Sequence, residues 1–239
     1  MINGVSSDEL KSLIQFRPEI AAPRRKVQRK SISVVSEDYI FDEEAYENTP
    51  INLDLFAEAE SEDEINELKD KITHTFMGGQ YIEFTPYWDS EMIYQVEVVE
   101  PPVYGQSGTF PTILPYKVGL SAKPYKEFRD KVDRESTTSL IIDNPTPYEV
   151  RPVITLYGSG NMNLVVNDKQ YVFQTGDTNI IVDSRIESAY RMLSGIPDGR
   201  DNRMYTPDFP TLKSGENRIS VTGNATYFKV ETRWRKLVS

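Results

Sequence analysis

"IIDNPTPYEVRPVITLYGSGNMNLVVNDKQYVF", residues 141–173, contains a seam. A strand-like run ends at Asn144-Pro145-Thr146-Pro147, and a new alternation of apolar and polar residues starts after it. Each proline fixes its own φ and pushes the preceding residue toward extended backbone, as a short stiff linker requires. Charge divides at the same place. Residues 1–142 carry 15 basic and 26 acidic side chains (15 − 26 = −11), whereas residues 143–239 carry 12 and 11 (12 − 11 = +1). A chain of 239 residues can hold two ordinary domains. The seam therefore predicts domains over 1–142 and 143–239.

Beyond the seam the pattern is all-β. Ile154 and Leu156 lead into Gly158-Ser159-Gly160, which reads as a turn. Met162, Leu164 and Val166 then meet Tyr171 and Phe173 across Asn167-Asp168, a compact hairpin signal. "TNIIVDS" (178–184) and "NRISVTG" (217–223) are further short strands, and Phe228, Val230, Thr232 and Trp234 share one face of "YFKVETRW" (227–234). Short strands at this spacing predict a β-sandwich. "SRIESAYRMLSG" (184–195) fits one helical turn or a loop equally well.

Before the seam one helix is predicted over 61–77. Ser61 is the N-cap, Glu64 completes a capping box, Ile65, Leu68, Ile72 and Phe76 share a face, and Gly78-Gly79 supplies the stop. Period-two runs surround it: Ile51, Leu53, Leu55; Met92, Tyr94, Val96, Val98; and Leu114, Tyr116, Val118, Leu120. "EPPVYGQSGTFP" (100–111) reads as a long hairpin tip or an arm near 99–111. The expected fold class is mainly β: an N-terminal antiparallel β domain with one helix, followed by a C-terminal sandwich.

Much chemistry is excluded. There is no cysteine, hence no disulfide or thiolate chemistry. The single histidine, His74, lies nine residues after Ile65, about 180° around the helix on its polar side. No apolar run approaches ~20 residues, and the first residues lack a signal-peptide pattern, so no membrane insertion is expected. Gly158-Ser159-Gly160 lacks the third glycine and following helix of a dinucleotide loop. "EDYIFDEEAYE" (37–47) lacks the ligand offsets and central glycine of a calcium loop and reads as a solvated acidic face or loop. No carboxylate pair is singled out for glycoside chemistry. The expectation is no catalytic residue, no cofactor and no metal.

One sharp feature remains: Arg24, Arg25, Lys26, Arg29 and Lys30 in an otherwise acidic half. No aromatics are interleaved there to stack nucleic-acid bases. A guarded strand edge, or a surface docked on an acidic neighbour, explains the cluster better. A sandwich also raises sugar binding, as a module recognising host cell-wall polysaccharide. Its polar candidates are Asn161, Asn163 and Arg218, and Trp234 faces the core by alternation.

"NGVSSDEL" (3–10), "RPEI" (17–20) with basic residues soon after, "NPTPYEVRPVITLYGSGNMNLVVNDKQY" (144–171), "FPTLKSGENRISVTGN" (209–224) and "KVETRWR" (229–235) together resemble the distal tail proteins of bacteriophages with long, non-contractile tails. The likeness spans essentially the whole chain. Relatives carry a Gly-containing turn soon after the basic segment, where this chain has "SVVSED" (33–38). The resemblance implies a non-enzymatic structural protein of the virion tail tip, assembled in the host cytoplasm. Its first domain would close a homo-hexameric ring and its second would be a galectin-like sandwich. The ring would join the major tail tube protein to the tail-associated hub or fibre protein, carry receptor-binding proteins, and let DNA pass through its lumen without specific binding. On that basis Arg24, Arg25, Lys26, Arg29 and Lys30 of one protomer are expected to face Asp42, Glu43 and Glu44 of the next.

Overall fold

The computed structural model describes residues 1–31, 37–105 and 110–239. "SVVSED", apart from Glu37 and Asp38, and the tip of the expected arm at 106–109 lie outside the described residues. Strands make up 57% of the chain and helices 9%, which sets the class as mainly β.

Two compact units are present: Met1–Glu127 together with Leu237–Ser239, and Phe128–Lys236. The first contains β1 (Ser12–Ile14), β2 (Arg25–Lys30), β3 (Tyr39–Tyr46), β4 (Thr49–Glu58), α1 (Glu62–Phe76), β5 (Ile82–Phe84), β6 (Met92–Tyr104) and β7 (Ile113–Phe128). Its main sheet has the order β1-β4-β7-β6-β5, while β2 and β3 form a separate two-stranded sheet. Alternation builds the core: Ile51, Leu53 and Leu55 of β4 and Leu114, Tyr116, Val118 and Leu120 of β7 are all buried.

The helix begins where Ser61 Oγ accepts from the Glu64 N–H at 3.3 Å. The Glu64 carboxylate departs from the simple capping box. It accepts from the Glu60 N–H at 2.7 Å and from Lys11 Nζ at 2.6 Å, which ties the helix start to the segment before β1. Ile65, Leu68, Ile72, Thr75 and Phe76 are buried, and His74 is exposed as expected. The base of the expected arm is strand: Tyr104 OH donates to the Lys69 carbonyl at 2.9 Å and bonds Thr73 Oγ1 at 2.7 Å, pinning β6 to the helix.

The second unit contains β8 (Val132–Ser136), β9 (Ser139–Asn144), β10 (Val153–Val166), β11 (Lys169–Thr175), β12 (Asn179–Asp183), β13 (Ser188–Leu193), β14 (Ile196–Gly199) and β15 (Gly215–Thr232). A last strand, β16 (Arg235–Leu237), pairs with β7. β8 and β9 both pair with β15, so the second unit begins at Phe128, earlier than the seam. The proline-rich seam is an internal turn instead. Buried Asn144 holds it, its side chain accepting from the Thr146 N–H at 3.0 Å and donating to the Tyr148 carbonyl at 2.9 Å. Such an Asx turn uses the same residues as a linker for a different purpose. Charge still divides as before: 12 − 23 = −11 for the first unit and 15 − 14 = +1 for the second.

The eight strands of the second unit form one hydrogen-bonded network whose two longest members bend. Residues 153–157 of β10 pair with β12 and with the C-terminal half of β15; residues 160–166 pair with β11, and residues 162–166 with the N-terminal half of β15. Two layers result, and one core cluster runs through both, from Ile154, Leu156 and Phe228 to Leu164, Phe173 and Ile219. Gly158-Ser159-Gly160 is therefore a bulge inside a continuous strand, not a turn between two. Gly158 and Gly160 have φ of +149° and +95°, and the β10–β15 register slips there. A Cβ on Gly158 would lie 2.2 Å from the Asn224 carbonyl oxygen, so only glycine lets the two backbones approach this closely. "SRIESAYRMLSG" is strand β13 with flanking turns. The Ser194-Gly195 pair, at φ +52° and +84°, closes a two-residue hairpin to β14.

Candidate functional site

Three surface features have chemistry that the core does not need. The first is the β2–β3 hairpin. Every residue of β2 is exposed, and Tyr39, Ile40 and Phe41 of β3 are 54%, 63% and 55% exposed. Register sets its two faces, because residues opposite one another share a side. Lys30 opposes Tyr39, and Gln28 opposes Phe41, so with Lys26 these make one face. Arg25, Val27, Arg29, Ile40 and Asp42 make the other.

The expected interface residues all lie on or beside this hairpin, and one pair meets within a single chain. Arg25 Nε donates to both oxygens of Asp42 at 2.8 and 2.9 Å, and the guanidinium sits 4.9 Å above the Tyr46 ring. The Arg25 hydrogen bond, then the Glu44 N–H, hold the Asp42 carboxyl below the usual carboxylate range. Gln28 Nε2 donates to Glu43 at 2.8 Å. Among the described residues, Arg24, Lys26, Arg29 and Lys30 enter no ion pair.

The second feature is an apolar groove in the first unit, a cavity of about 450 Å³ walled by Ile2, Leu10, Leu53, Leu55, Phe84 and Tyr116. Leu13, 59% exposed, stands at its mouth beside the exposed Tyr87. A neighbouring hollow shares Leu13 and Phe56 and adds Asp8, Glu58 and Glu60. Lys11, the cation of that rim, is spent on Glu64. Asp8, Glu58 and Glu60 enter no ion pair among the described residues. The groove is therefore greasy inside and acidic at one edge.

The third feature braces the β13–β14 hairpin. Arg200 donates to Asp177 at 2.6 Å and to Asp198 at 2.8 Å; Arg191 reaches Asp198 at 3.1 Å and also pairs with Asp177. Each aspartate touches both arginines, closing a ring of alternating charge under an exposed tip of Met192, Leu193 and Ile196. The Arg200 hydrogen bond is the main reason both carboxyls titrate below their ordinary value of 3.8. Groups with lowered folded values stabilise above the unfolded value and lose that contribution as pH falls through the folded one. Amide protection across 188–199 is thus expected to hold from neutral pH down to about 4 and to drop below that, as read by hydrogen exchange corrected for intrinsic rates. Loss already at about pH 6 would contradict the assignment.

The groove and the charge ring were missed from sequence. The groove is built by residues from four separate strands and the N-terminal segment, and nothing local marks it. The ring had a signal: reading Ser194-Gly195 as a hairpin turn places Arg191 opposite Asp198, the register observed. The sugar-site candidates do not converge. Arg218 is held by Glu216 at 2.8 Å, Asn163 faces Thr222, and Trp234 is buried in the core.

No protein-family model matches this chain, and no curated protein sequence matches it. Solved structures do. SPP1 Dit (gp 19.1), described as a paradigm of the hub adsorption apparatus in phages infecting Gram-positive hosts, superposes with a TM-score of 0.74 over 99% of this chain and 98% of its own, at 14% identity. The fold is that of SPP1 Dit. A chain of the phage p2 baseplate in its activated conformation with Sr matches with a TM-score of 0.52 over 93% of this chain and 90% of its own, at 10% identity. At 99% coverage the superposition includes residues of both units.

Proposed function

We propose that this chain is a structural distal tail protein, a baseplate hub component of a bacteriophage with a long non-contractile tail. Six copies form a ring through the first unit, join the tail tube to the hub or fibre protein, and carry receptor-binding components on the second unit. The observation that carries this reading is the likeness to SPP1 Dit along 99% of the chain. Fold alone does not fix function, so the surfaces must agree with it. They do. A closed ring repeats one heterologous contact, which needs two different sticky patches on each copy, and the first unit has an exposed hairpin and an acidic-rimmed groove. Its −11 charge suits a lumen that repels phosphate and lets DNA slide. The role needs no catalysis and no cofactor.

The test is native mass measurement and negative-stain imaging of the purified chain, alone and with its tail-tube and hub neighbours. The expected result is a six-fold particle. A chain that stays monomeric in every mixture yet captures cell-wall polysaccharide would overturn the reading in favour of a sugar-binding module.

A further inference from the structure

We propose that the β2–β3 hairpin of one copy seats in the apolar groove of the next, with Tyr39 and Phe41 at the groove and Lys26 and Lys30 over its acidic rim. This rests on the ring reading above and names its contact surfaces. A lone two-stranded ribbon is marginal in water, and one that exposes three consecutive large apolar side chains calls for a cover. Among the described residues its own chain does not provide one: Tyr39, Ile40 and Phe41 are each more than half exposed, and no described hairpin residue lines the groove.

The charges decide which occupant fits. The expectation that the basic strand meets Asp42–Glu44 of a neighbour is weakened by the structure, because Asp42 is already neutralised by Arg25 and Glu43 is bonded by Gln28. Among the described residues Lys26 and Lys30 enter no ion pair; Lys30 opposes Tyr39, and alternation back from Gln28, which opposes Phe41, puts Lys26 on the same face. Among the described residues Asp8, Glu58 and Glu60, beside Leu13, enter no ion pair, and Glu60 feels only the more distant charge of Lys11. An apolar centre with a basic flank meets an apolar hollow with an acidic edge, so shape and sign agree in one orientation. The hairpin and the groove are different patches, so each copy can give its hairpin to one neighbour and its groove to another, which makes the contact heterologous. It can close a ring, whereas a two-fold contact would stop at a dimer.

The absence of cysteine makes the test clean. Phe41→Cys and Leu13→Cys are prepared separately in the full chain, both at exposed positions. Mixed in equal amounts and oxidised, they are expected to give a disulfide-linked dimer that neither variant gives alone. Lys26→Glu with Lys30→Glu in the Phe41→Cys chain should lower that yield about tenfold, and Glu58→Lys with Glu60→Lys in the Leu13→Cys chain should restore it. Rings that form while the mixture stays uncross-linked would overturn this contact and leave the ring reading standing. Failure to form any ring, alone or with tail neighbours, would overturn both.

Discussion

Replacing Phe228 with alanine is expected to destabilise the second unit by about 3–5 kcal/mol. The ring is fully buried on β15, where its residue opposes Leu156 on one side and Ser136 on the other. It lies in the core cluster shared by both layers, so its removal leaves a cavity that neither layer can close alone. Denaturant unfolding followed by Trp234 fluorescence, in a Trp88→Phe background, reads this unit separately. A cost below about 1 kcal/mol would place the ring outside the close-packed core.

Gly158→Ala is expected to cost about 3 kcal/mol or more by the same measurement. Two effects add: φ of +149° is a region L-residues rarely adopt, and the new Cβ would sit 2.2 Å from a backbone oxygen that cannot move without shifting β15. Gly176→Ala is the control. A Cβ there meets nothing within 4 Å, so its effect should stay within about 0.5 kcal/mol. Equal effects at the two positions would show that crowding at the bulge is not what selects glycine.

These two sites also show where sequence reading succeeds and fails. Alternation found Phe228, Val230, Thr232 and Trp234 because burial on a half-covered strand repeats every two residues, and all four are buried. The same logic found Ile65, Leu68, Ile72 and Phe76 on the helix. Gly158-Ser159-Gly160 was read as a turn because a bulge and a turn require the same left-handed backbone, and the difference lies in a partner strand some 65 residues away. The proline seam misled in the same way, since an Asx turn and a linker share their composition. β13 escaped because Arg191 and Tyr190 suit either class until the Arg191–Asp198 register is known. The Arg24–Lys30 cluster was legible as an exposed basic segment, but that Arg25 would turn to Asp42 of its own chain depends on the bulge between Arg25 and Val27.

The bend in β10 and β15 has a mechanical consequence. In an ordinary sandwich the layers meet only through side chains and can be peeled apart. Here the same two ribbons of backbone pass through both, creased at Gly158, Gly160 and Gly223. Tension applied to one layer reaches the other along covalent bonds, so the unit should yield to pulling in one event, by tearing the β10–β15 ladder.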